Sequence, residues 1–270
     1  MALLRPAVLC VCLVLASPGV PSAWAIAPAE SALRATVRVF DAGSSGTGFL
    51  VATGDPNDVG KRCLLVTAAH VFENMKSDKG TLVFRLTDRE HGIGRKQVLV
   101  PTRKGNEVLW TKHPRFDIAV LAVEIPEGVD VKPFEERQIA DGKFAEEGRF
   151  SVGQDAFIPC FPVQLEANAA GWPILRRGTV ATHPLVPVTT VPTFLMDYTS
   201  FGGDSGSPIV VWQDNEPMVV GLISGMHRQS EKTVTPNEER TVHSSMGLGI
   251  ALQSPLIRQT IEDWKKRPSQ

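Results

Sequence analysis

Residues 201–208, with the sequence Phe-Gly-Gly-Asp-Ser-Gly-Ser-Pro, contain the residue types that most clearly could do chemistry. A serine hydroxyl is a poor nucleophile at neutral pH, so a reactive serine must be exposed on a tight turn beside a base. The glycines around Ser205 permit unusual backbone angles and let a substrate carbonyl approach closely. The N–H groups of Gly203 and Ser205 could then converge on a developing oxyanion. An ordinary Gly-Ser turn is the alternative, and we favour a catalytic Ser205.

Two further segments supply groups that could activate this serine. Residues 64–70 form an apolar run that ends in two alanines and His70, where the small side chains leave space around the imidazole. Asp117 directly precedes an apolar strand, and a carboxylate buried there needs a partner. The Nδ1–H of His70 could be that partner, which would fix the tautomer whose Nε2 faces a serine. Taken singly, His70 is more often structural and Asp117 a surface residue that caps a turn.

The elements that must position these residues are short strands separated by turns. Their spacing is typical of a sandwich or barrel and not of βαβ units. The predicted strands are residues 35–40, 47–52, 63–67, 81–86, 97–100, 118–123, 155–161, 180–182, 193–197, 207–211, 219–224 and 247–252. Only residues 255–265 have helical spacing, with Leu256, Ile257, Ile261 and Trp264 on one face. The pattern predicts two β-barrels and a C-terminal helix.

The first 25 residues are predicted to be a signal peptide. Arg5 is followed by an apolar stretch too short to span a bilayer, and Ala23-Trp24-Ala25 offers a cleavage site. An uncleaved membrane anchor is the alternative. The expected mature protein is exported, either periplasmic or secreted, and is not stably inserted in a membrane after signal cleavage.

The rest of the chain divides into two expected barrels and a connection. Residues 26–125 would form the N-terminal barrel with His70 and Asp117, and residues 149–270 the second barrel with Ser205 and the final helix. Residues 126–148 are charged, contain prolines and show no sustained apolar period, which is typical of a linker.

Composition narrows the class of partner. A net charge of −1 gives no basic surface for nucleic acid, and 43% hydrophobic residues are enough for a substantial core. Signal cleavage would leave Cys63 and Cys160 in strands of different predicted barrels, so two buried thiols are favoured over a disulfide. No metal or organic cofactor is implied. The expected partner is a polypeptide substrate, and the oligomeric state is open.

In combination, the three segments resemble the trypsin-like, chymotrypsin-fold serine peptidase superfamily. His70, Asp117 and Ser205 occur in the family's order and at family-like spacing. The Gly-Thr-Gly-Phe-Leu strand at residues 46–50 and the few cysteines are similar to bacterial HtrA-like proteases and glutamyl endopeptidases, here without a PDZ domain. The resemblance implies an all-β fold of two antiparallel six-stranded barrels. It also implies a serine endopeptidase that uses a Ser-His-Asp triad and an acyl-enzyme.

The same resemblance indicates a substrate pocket. Thr199 stands where a trypsin-like enzyme has the aspartate of the pocket floor, and Ser200 follows it. A Lys or Arg side chain would be buried there without a counter-charge, so we expect a small or apolar residue at P1, just before the scissile bond. The substrate would pair, as an added strand, with Ser224, Gly225 and Met226. Ser224 would also support Asp117.

Asp204, directly before the nucleophile, has two possible partners. In trypsin-like zymogens the ammonium of a new N-terminal isoleucine pairs with this aspartate, and signal cleavage would expose Ile26. An arginine or backbone donors are the alternative. We favour the alternative, because the residues after Ile26 do not resemble the family's Ile-Val-Gly-Gly start.

Two other functions compete with peptide hydrolysis. A catalytically silent protease fold that only binds is one, and the complete set of three residues argues against it. An esterase of the α/β-hydrolase type is the other, but such enzymes place histidine last in the chain, whereas here it comes first.

Overall fold

The computed structural model of the protein describes residues 28–55, 61–86, 94–235 and 238–267. Within them the chain forms an open sheet, a closed barrel and four α-helices. The helices are α1 (Pro28–Ala35), α2 (Ala69–Glu73), α3 (Gly142–Glu146) and α4 (Ser254–Lys265), with 3-10 turns at Glu136–Gln138 and Pro162–Gln164. None of these helices has the length and apolarity needed to cross a lipid bilayer. The predicted signal peptide and Ile26 lie outside the described residues.

The N-terminal half is a seven-stranded sheet with the order β5-β4-β1-β2-β3-β9-β8. Its strands, with the small β6–β7 hairpin, are β1 (Thr36–Phe40), β2 (Ser45–Ala52), β3 (Arg62–Thr67), β4 (Lys79–Arg85), β5 (Arg95–Pro101), β6 (Arg103–Lys104), β7 (Glu107–Val108), β8 (Thr111–Lys112) and β9 (Ala119–Glu124). The closed six-stranded barrel predicted for this half is wrong for the described residues. Edge strand β8 has only two residues, too few to form a ladder with β5 at the opposite edge.

The C-terminal half confirms the predicted closed, six-stranded antiparallel barrel, with the order β10-β11-β12-β15-β14-β13. Its strands are β10 (Asp155–Cys160), β11 (Ile174–Val180), β12 (Thr193–Asp197), β13 (Pro208–Gln213), β14 (Glu216–Thr235) and β15 (Glu238–Gln253). Strands β14 and β15 are far longer than the sequence predicted. They continue beyond the barrel as a two-stranded ribbon over residues 227–235 and 238–246, which we call the ribbon.

Apolar patterning explains why these segments are strands. In β1, Val37 and Val39 are fully buried whereas Arg38 and Phe40 are partly exposed, the period of two expected when one face packs on a core. Strand β3 is buried continuously from Cys63 to Thr67 because it lies between β2 and β9 in the middle of the sheet.

The C-terminal helix follows the predicted apolar face. Leu256, Ile257 and Ile261 are buried in α4, and Trp264 packs against the same core at partial exposure. That core also contains residues of the first sheet, such as Phe49 and Leu65, so α4 packs against the N-terminal half.

The two cysteines in the described chain do not pair with each other. Cys63 lies in β3 of the open sheet and Cys160 in β10 of the barrel, and both are buried. This confirms the prediction of separately buried thiols.

Candidate active site

Strand pairing brings His70 and Asp117 together. Strands β3 and β9 are antiparallel, and Thr67 at the end of β3 is opposite Ala119 at the start of β9. His70 follows β3 in the first turn of α2, and Asp117 precedes β9 by two residues. Both therefore lie beyond the same end of these two paired strands, although they are 47 positions apart in sequence.

Two hydrogen bonds join these residues. His70 Nδ1 lies 2.6 Å from Asp117 Oδ2, and the His70 backbone N–H donates to Asp117 Oδ1 at 2.9 Å. The Asp117 side chain is 33% exposed. The apolar residues that follow it in sequence predicted a buried carboxylate, so Asp117 is less buried than expected. Partial burial alone would raise the pKa of Asp117, but the hydrogen bonds and charge of His70 hold it below its usual value. Asp117 is thus an anion at neutral pH and orients the imidazole through two contacts.

Ser205 lies in a turn between β12 and β13 that is attached to the first sheet. The Thr47 N–H of β2 donates to the Ser205 carbonyl at 2.9 Å. Gly206 has a φ of +86°, and a Cβ there would lie 2.0 Å from the Thr47 carbonyl oxygen and 2.3 Å from Thr67 Oγ1. Only glycine permits this conformation and approach, and Thr67 is three residues before His70. The turn is therefore held against the strand end that carries the histidine.

The peptide groups around Ser205 are oriented by their carbonyls. The Gly202 carbonyl accepts from the Val163 N–H at 2.6 Å, and the Asp204 carbonyl accepts from the Ser207 N–H at 2.9 Å. In a trans peptide the N–H points opposite to the C=O, so the N–H groups of Gly203 and Ser205 point away from these partners. In the described part of the chain neither N–H donates a hydrogen bond. Both N–H groups therefore have no acceptor among the described residues, and the predicted oxyanion role of Gly203 and Ser205 stays a prediction.

Val163 holds its position at a conformational cost. It has a φ of +44°, where a β-branched residue is rarely found, and its side chain is exposed. Such strain costs about 1–3 kcal/mol and persists only where the surroundings over-determine it. Here the strained turn provides the donor that orients the Gly202–Gly203 peptide.

Thr47 fixes the same loop from the other side. Its hydroxyl donates to the Gly203 carbonyl at 2.8 Å and accepts from the Phe161 N–H at 3.1 Å, and the side chain is fully buried. Together with its N–H bond to Ser205, Thr47 connects the first sheet to both ends of the Gly203–Ser205 segment.

Replacing Thr47 with valine should lower kcat for any reaction at Ser205 about tenfold, because the Gly203 carbonyl loses the donor that holds this loop in place. Valine keeps the shape but leaves the Gly203 carbonyl and Phe161 N–H unpaired, which should lower the free energy of unfolding by about 1–3 kcal/mol for each group. Steady-state kinetics and urea unfolding measure the two effects.

Thr36→Val is the matched control for this substitution. Thr36 is also fully buried, and its hydroxyl donates to the Ala32 carbonyl at 2.9 Å in the α1–β1 segment. The control should lose stability and keep kcat. A Thr47→Val protein with unchanged kcat would contradict the assigned role.

Asp204 is fully buried and is the centre of a polar network. Its Oδ2 accepts from the Phe201 N–H at 2.9 Å, from Arg176 Nη1 and Tyr198 Oη at 3.3 Å, and from Ser200 Oγ at 3.4 Å. Burial raises the pKa of Asp204 above its usual value, although the Phe201 N–H and the Arg176 charge oppose the shift. An arginine was one of the partners expected for Asp204, and in the structure Arg176 is that partner.

The predicted pocket residues differ in their surroundings. Thr199 is exposed, and its carbonyl accepts from Arg176 Nη2. Ser200 is buried, and its hydroxyl bonds to Tyr198 and Asp204.

The predicted substrate strand lies in β14, where Ser224, Gly225 and Met226 are partly exposed beyond the last residue paired with β13. The expected support of Asp117 by Ser224 is not found among the described residues. The Ser224 hydroxyl donates instead to the Ile250 carbonyl of β15 at 3.5 Å. A register shift between Ile223 and Gly225 leaves Ser224 as an extra residue on β14, which accounts for this orientation.

Sequence reasoning did not assign functions to three residues of this site. Thr47 belongs to the Gly-Thr-Gly segment that carried the family resemblance, so the resemblance itself was a usable signal. No sequence signal indicated Arg176 or Val163. Their partners, Asp204 and Gly202, are distant in sequence and become neighbours only in the folded chain.

Comparisons with known proteins agree with this geometry. Residues 46–222 match the family model described as a trypsin-like peptidase domain. No curated protein matches in sequence. The fold is similar to the crystal structure of Rv3671c from M. tuberculosis H37Rv, in the inactive form of a serine-to-alanine mutant. The TM-score is 0.51 and the identity 15%, with 90% of this chain and 94% of that chain covered. The matched region is more than half of the sequence and contains His70, Asp117 and Ser205, so this chain belongs to the trypsin-like peptidase domain family.

Proposed function

We propose that the protein is a serine endopeptidase, and the observation that carries this is the doubly hydrogen-bonded His70–Asp117 pair. A carboxylate that holds the imidazole by Nδ1–H leaves Nε2 as the basic nitrogen. Because the Ser205 turn is anchored beside Thr67, the base and the nucleophile belong to one site. Membership of the peptidase family supports a hydrolase.

In the proposed cycle, Ser205 Oγ attacks the scissile carbonyl while His70 takes its proton. The N–H groups of Gly203 and Ser205 stabilise the oxyanion, and His70 then protonates the leaving amine. Water hydrolyses the acyl-enzyme by the same steps in reverse. Each step uses only side chains and amides of this chain.

A serine-directed fluorophosphonate tests the proposal. The purified protein should be labelled covalently at Ser205, and Ser205→Ala should not be labelled. Ser207→Ala is a useful control because Ser207 is two residues away but fully buried, so this variant should keep its label. A wild-type protein that cleaves no member of a peptide library and is not labelled would overturn the proposal.

A binding module with a silent protease fold is the second candidate, and one observation favours it. Among the described residues, no hydrogen bond joins Ser205 Oγ to His70 Nε2. Such bonds are often long in substrate-free sites and tighten when substrate binds, so their absence does not exclude catalysis. The labelling experiment separates the two functions, since a silent module would bind peptides without reacting.

For substrate specificity, we infer a preference for small or apolar P1 residues over Lys and Arg. The Thr199 side chain carries no carboxylate, and the neighbouring charges of Arg176 and Asp204 compensate each other. A basic P1 side chain would therefore be desolvated there without a counter-charge. Cleavage of a peptide library is the measurement, and a majority of cuts after Lys or Arg would contradict the inference.

Export is proposed from the sequence of residues 1–25. Fractionation of the producing cells followed by N-terminal sequencing should find a mature chain that begins at Ile26. A chain that retains residues 1–25 and sediments with membranes would support the anchor alternative instead.

A further inference from the structure

The ribbon, residues 227–235 and 238–246, is a large feature that the proposed catalytic cycle does not use. Its strands are paired from Arg228 opposite Ser245 to Thr235 opposite Glu238. The described side chains of residues 227–234 and 238–246 are all exposed, so neither face packs on a core. An isolated two-stranded ribbon is at best marginally stable. Core burial therefore does not explain the length of this ribbon.

One edge of β14 is open along the ribbon. Strand β13 pairs with β14 only as far as Leu222, and Ile223 still bonds to Ser207 and Gly206 through its N–H and C=O. Beyond this point β14 pairs only with β15 among the described strands. Every second residue of such a strand directs its N–H and C=O toward the open side. A second register shift lies between Met226 and Arg228, so the regular open edge runs from Arg228 to Thr235 and is about 23 Å long, at ~3.3 Å per residue.

The direction of the neighbouring strand decides how a peptide would lie on this edge. Strand β13 is antiparallel to β14 and begins at Pro208, just after Ser205. A peptide that pairs antiparallel with the open edge runs in the same direction as β13. Its C-terminal end then arrives at Ser205, and its N-terminal end lies toward the tip of the ribbon. This is the polarity that peptide hydrolysis requires for the residues before the scissile bond.

We propose that the ribbon extends the substrate-binding edge and takes up the N-terminal part of long, unstructured polypeptides by strand addition. The proposal rests on the proposed peptidase function. The ribbon carries three basic residues and three acidic ones, so its charges balance and give no preference for substrate charge. They are Arg228, Lys232, Arg240, Glu231, Glu238 and Glu239. Recognition is then mainly through the backbone, which tolerates many sequences but requires an extended chain.

A length series of peptides tests this inference. Fluorogenic substrates share their P1 and following residues and begin at P3, P5, P7 or P9. We expect kcat/KM to rise at least about tenfold from the P3 to the P9 peptide, because each added pair of strand hydrogen bonds contributes a few-fold. Rates that do not depend on length would overturn the proposal.

Backbone methylation of the peptide identifies strand pairing as the cause. Single N-methyl groups placed in turn at P4 to P8 remove one donor each and leave the side chains unchanged. Losses that alternate with a period of two are the expected result, since only alternate amides face the edge. A loss that is uniform, or absent, would mean that the ribbon does not act as a strand template.

A shortened ribbon is the complementary variant. Residues 230–243 are replaced by Asn-Gly between Gln229 and Ser244, which are already paired and can be closed by a two-residue type I′ turn. The ratio of kcat/KM for the P9 and P3 peptides should fall to the few-fold that the retained Arg228–Gln229 edge can supply, and this ratio cancels any general loss of activity. A ratio equal to that of the wild type would refute the role of the ribbon. If this variant does not fold, the methylated peptides still decide the question.

Binding to Ser205→Ala separates this inference from the proposed function. Fluorescence anisotropy with the P3 and P9 peptides should give a Kd that decreases with length even without turnover. A length-dependent Kd for Ser205→Ala, together with a wild-type protein that fluorophosphonate does not label, would retain the ribbon's role and reject catalysis. Cleavage with a length-independent Kd and rate would do the reverse.

Discussion

Asp117→Asn is expected to lower kcat for peptide hydrolysis by about 10⁴-fold. The asparagine oxygen should keep the bond from the His70 backbone N–H, which lies 2.9 Å from Asp117 Oδ1 in the parent protein. The amide nitrogen must then face Nδ1 and donate to it. This forces the ring proton onto Nε2, where the imidazole can no longer accept a proton from Ser205.

Kinetics and ¹⁵N NMR of the imidazole measure both parts of this prediction. The resonances should report Nδ1–H in the wild type and Nε2–H in the variant. Asp155→Asn is the matched control, because Asp155 also pairs with a basic residue, Arg177, but on the exposed surface. That control should keep its kcat. An Asp117→Asn protein within tenfold of the wild type would mean that Asp117 does not orient the base.

The parts of the site that sequence could predict are those connected by adjacent strands or contained in one turn. His70 follows β3 and Asp117 precedes β9. The continuous apolar runs of both strands are visible in the sequence. The amides of Gly203 and Ser205 belong to the same octapeptide, so one motif contains both the proposed nucleophile and the proposed oxyanion donors.

What sequence could not predict depends on contacts between distant segments or on solvent exposure. Val163, Thr47 and Arg176 act on the Ser205 loop from three different segments, and no local pattern shows which of their atoms meet it. The ribbon was missed because both of its faces are in water, so its residues lack the apolar alternation by which strands are found.

The predicted strand boundaries were wrong where a strand is polar and therefore lacks the apolar pattern by which strands are predicted. Strand β11 runs from Ile174 to Val180, but its Arg-Arg-Gly-Thr centre is polar and only its last residue was included in a predicted strand. The two arginines at the centre of β11 form ion pairs with different partners. Arg176 pairs with Asp204, and Arg177 pairs with Asp155. Strand β11 thus places the positive charge of Arg176 beside the buried Asp204, next to Ser205.

The Arg176–Asp204 pair is the basis of the second large effect. In the zymogen-type relatives a newly formed N-terminal ammonium orders the loop by binding this aspartate. Here the guanidinium contacts Asp204 at 3.3 Å and also packs over the rings of Tyr198 and Phe201. Arg176 belongs to strand β11, so its positive charge is in place beside Asp204 as soon as the chain folds. The Gly203–Ser205 loop can therefore be ordered before any proteolytic cleavage forms a new N-terminus.

Arg176→Met should lower the free energy of unfolding by about 3–5 kcal/mol, because it leaves a buried carboxylate without its counter-charge. Fluorophosphonate labelling should slow in parallel as the Gly203–Ser205 loop loosens. The pKa of Asp204 is already raised, and without Arg176 it should rise further. The folded variant then binds a proton that the unfolded chain has released, so its stability falls as pH rises above the usual carboxyl range.

Thermal unfolding between pH 5 and 8 tests the sign of this dependence, and two further variants separate charge from packing. Arg177→Met removes the adjacent but exposed arginine and should behave as the wild type at every pH. Adding Asp204→Asn to Arg176→Met removes the uncompensated charge, so the double variant should regain stability and lose the pH dependence. A pH-independent deficit in Arg176→Met would mean that packing of the arginine stem on Tyr198 and Phe201, and not its charge, holds the loop.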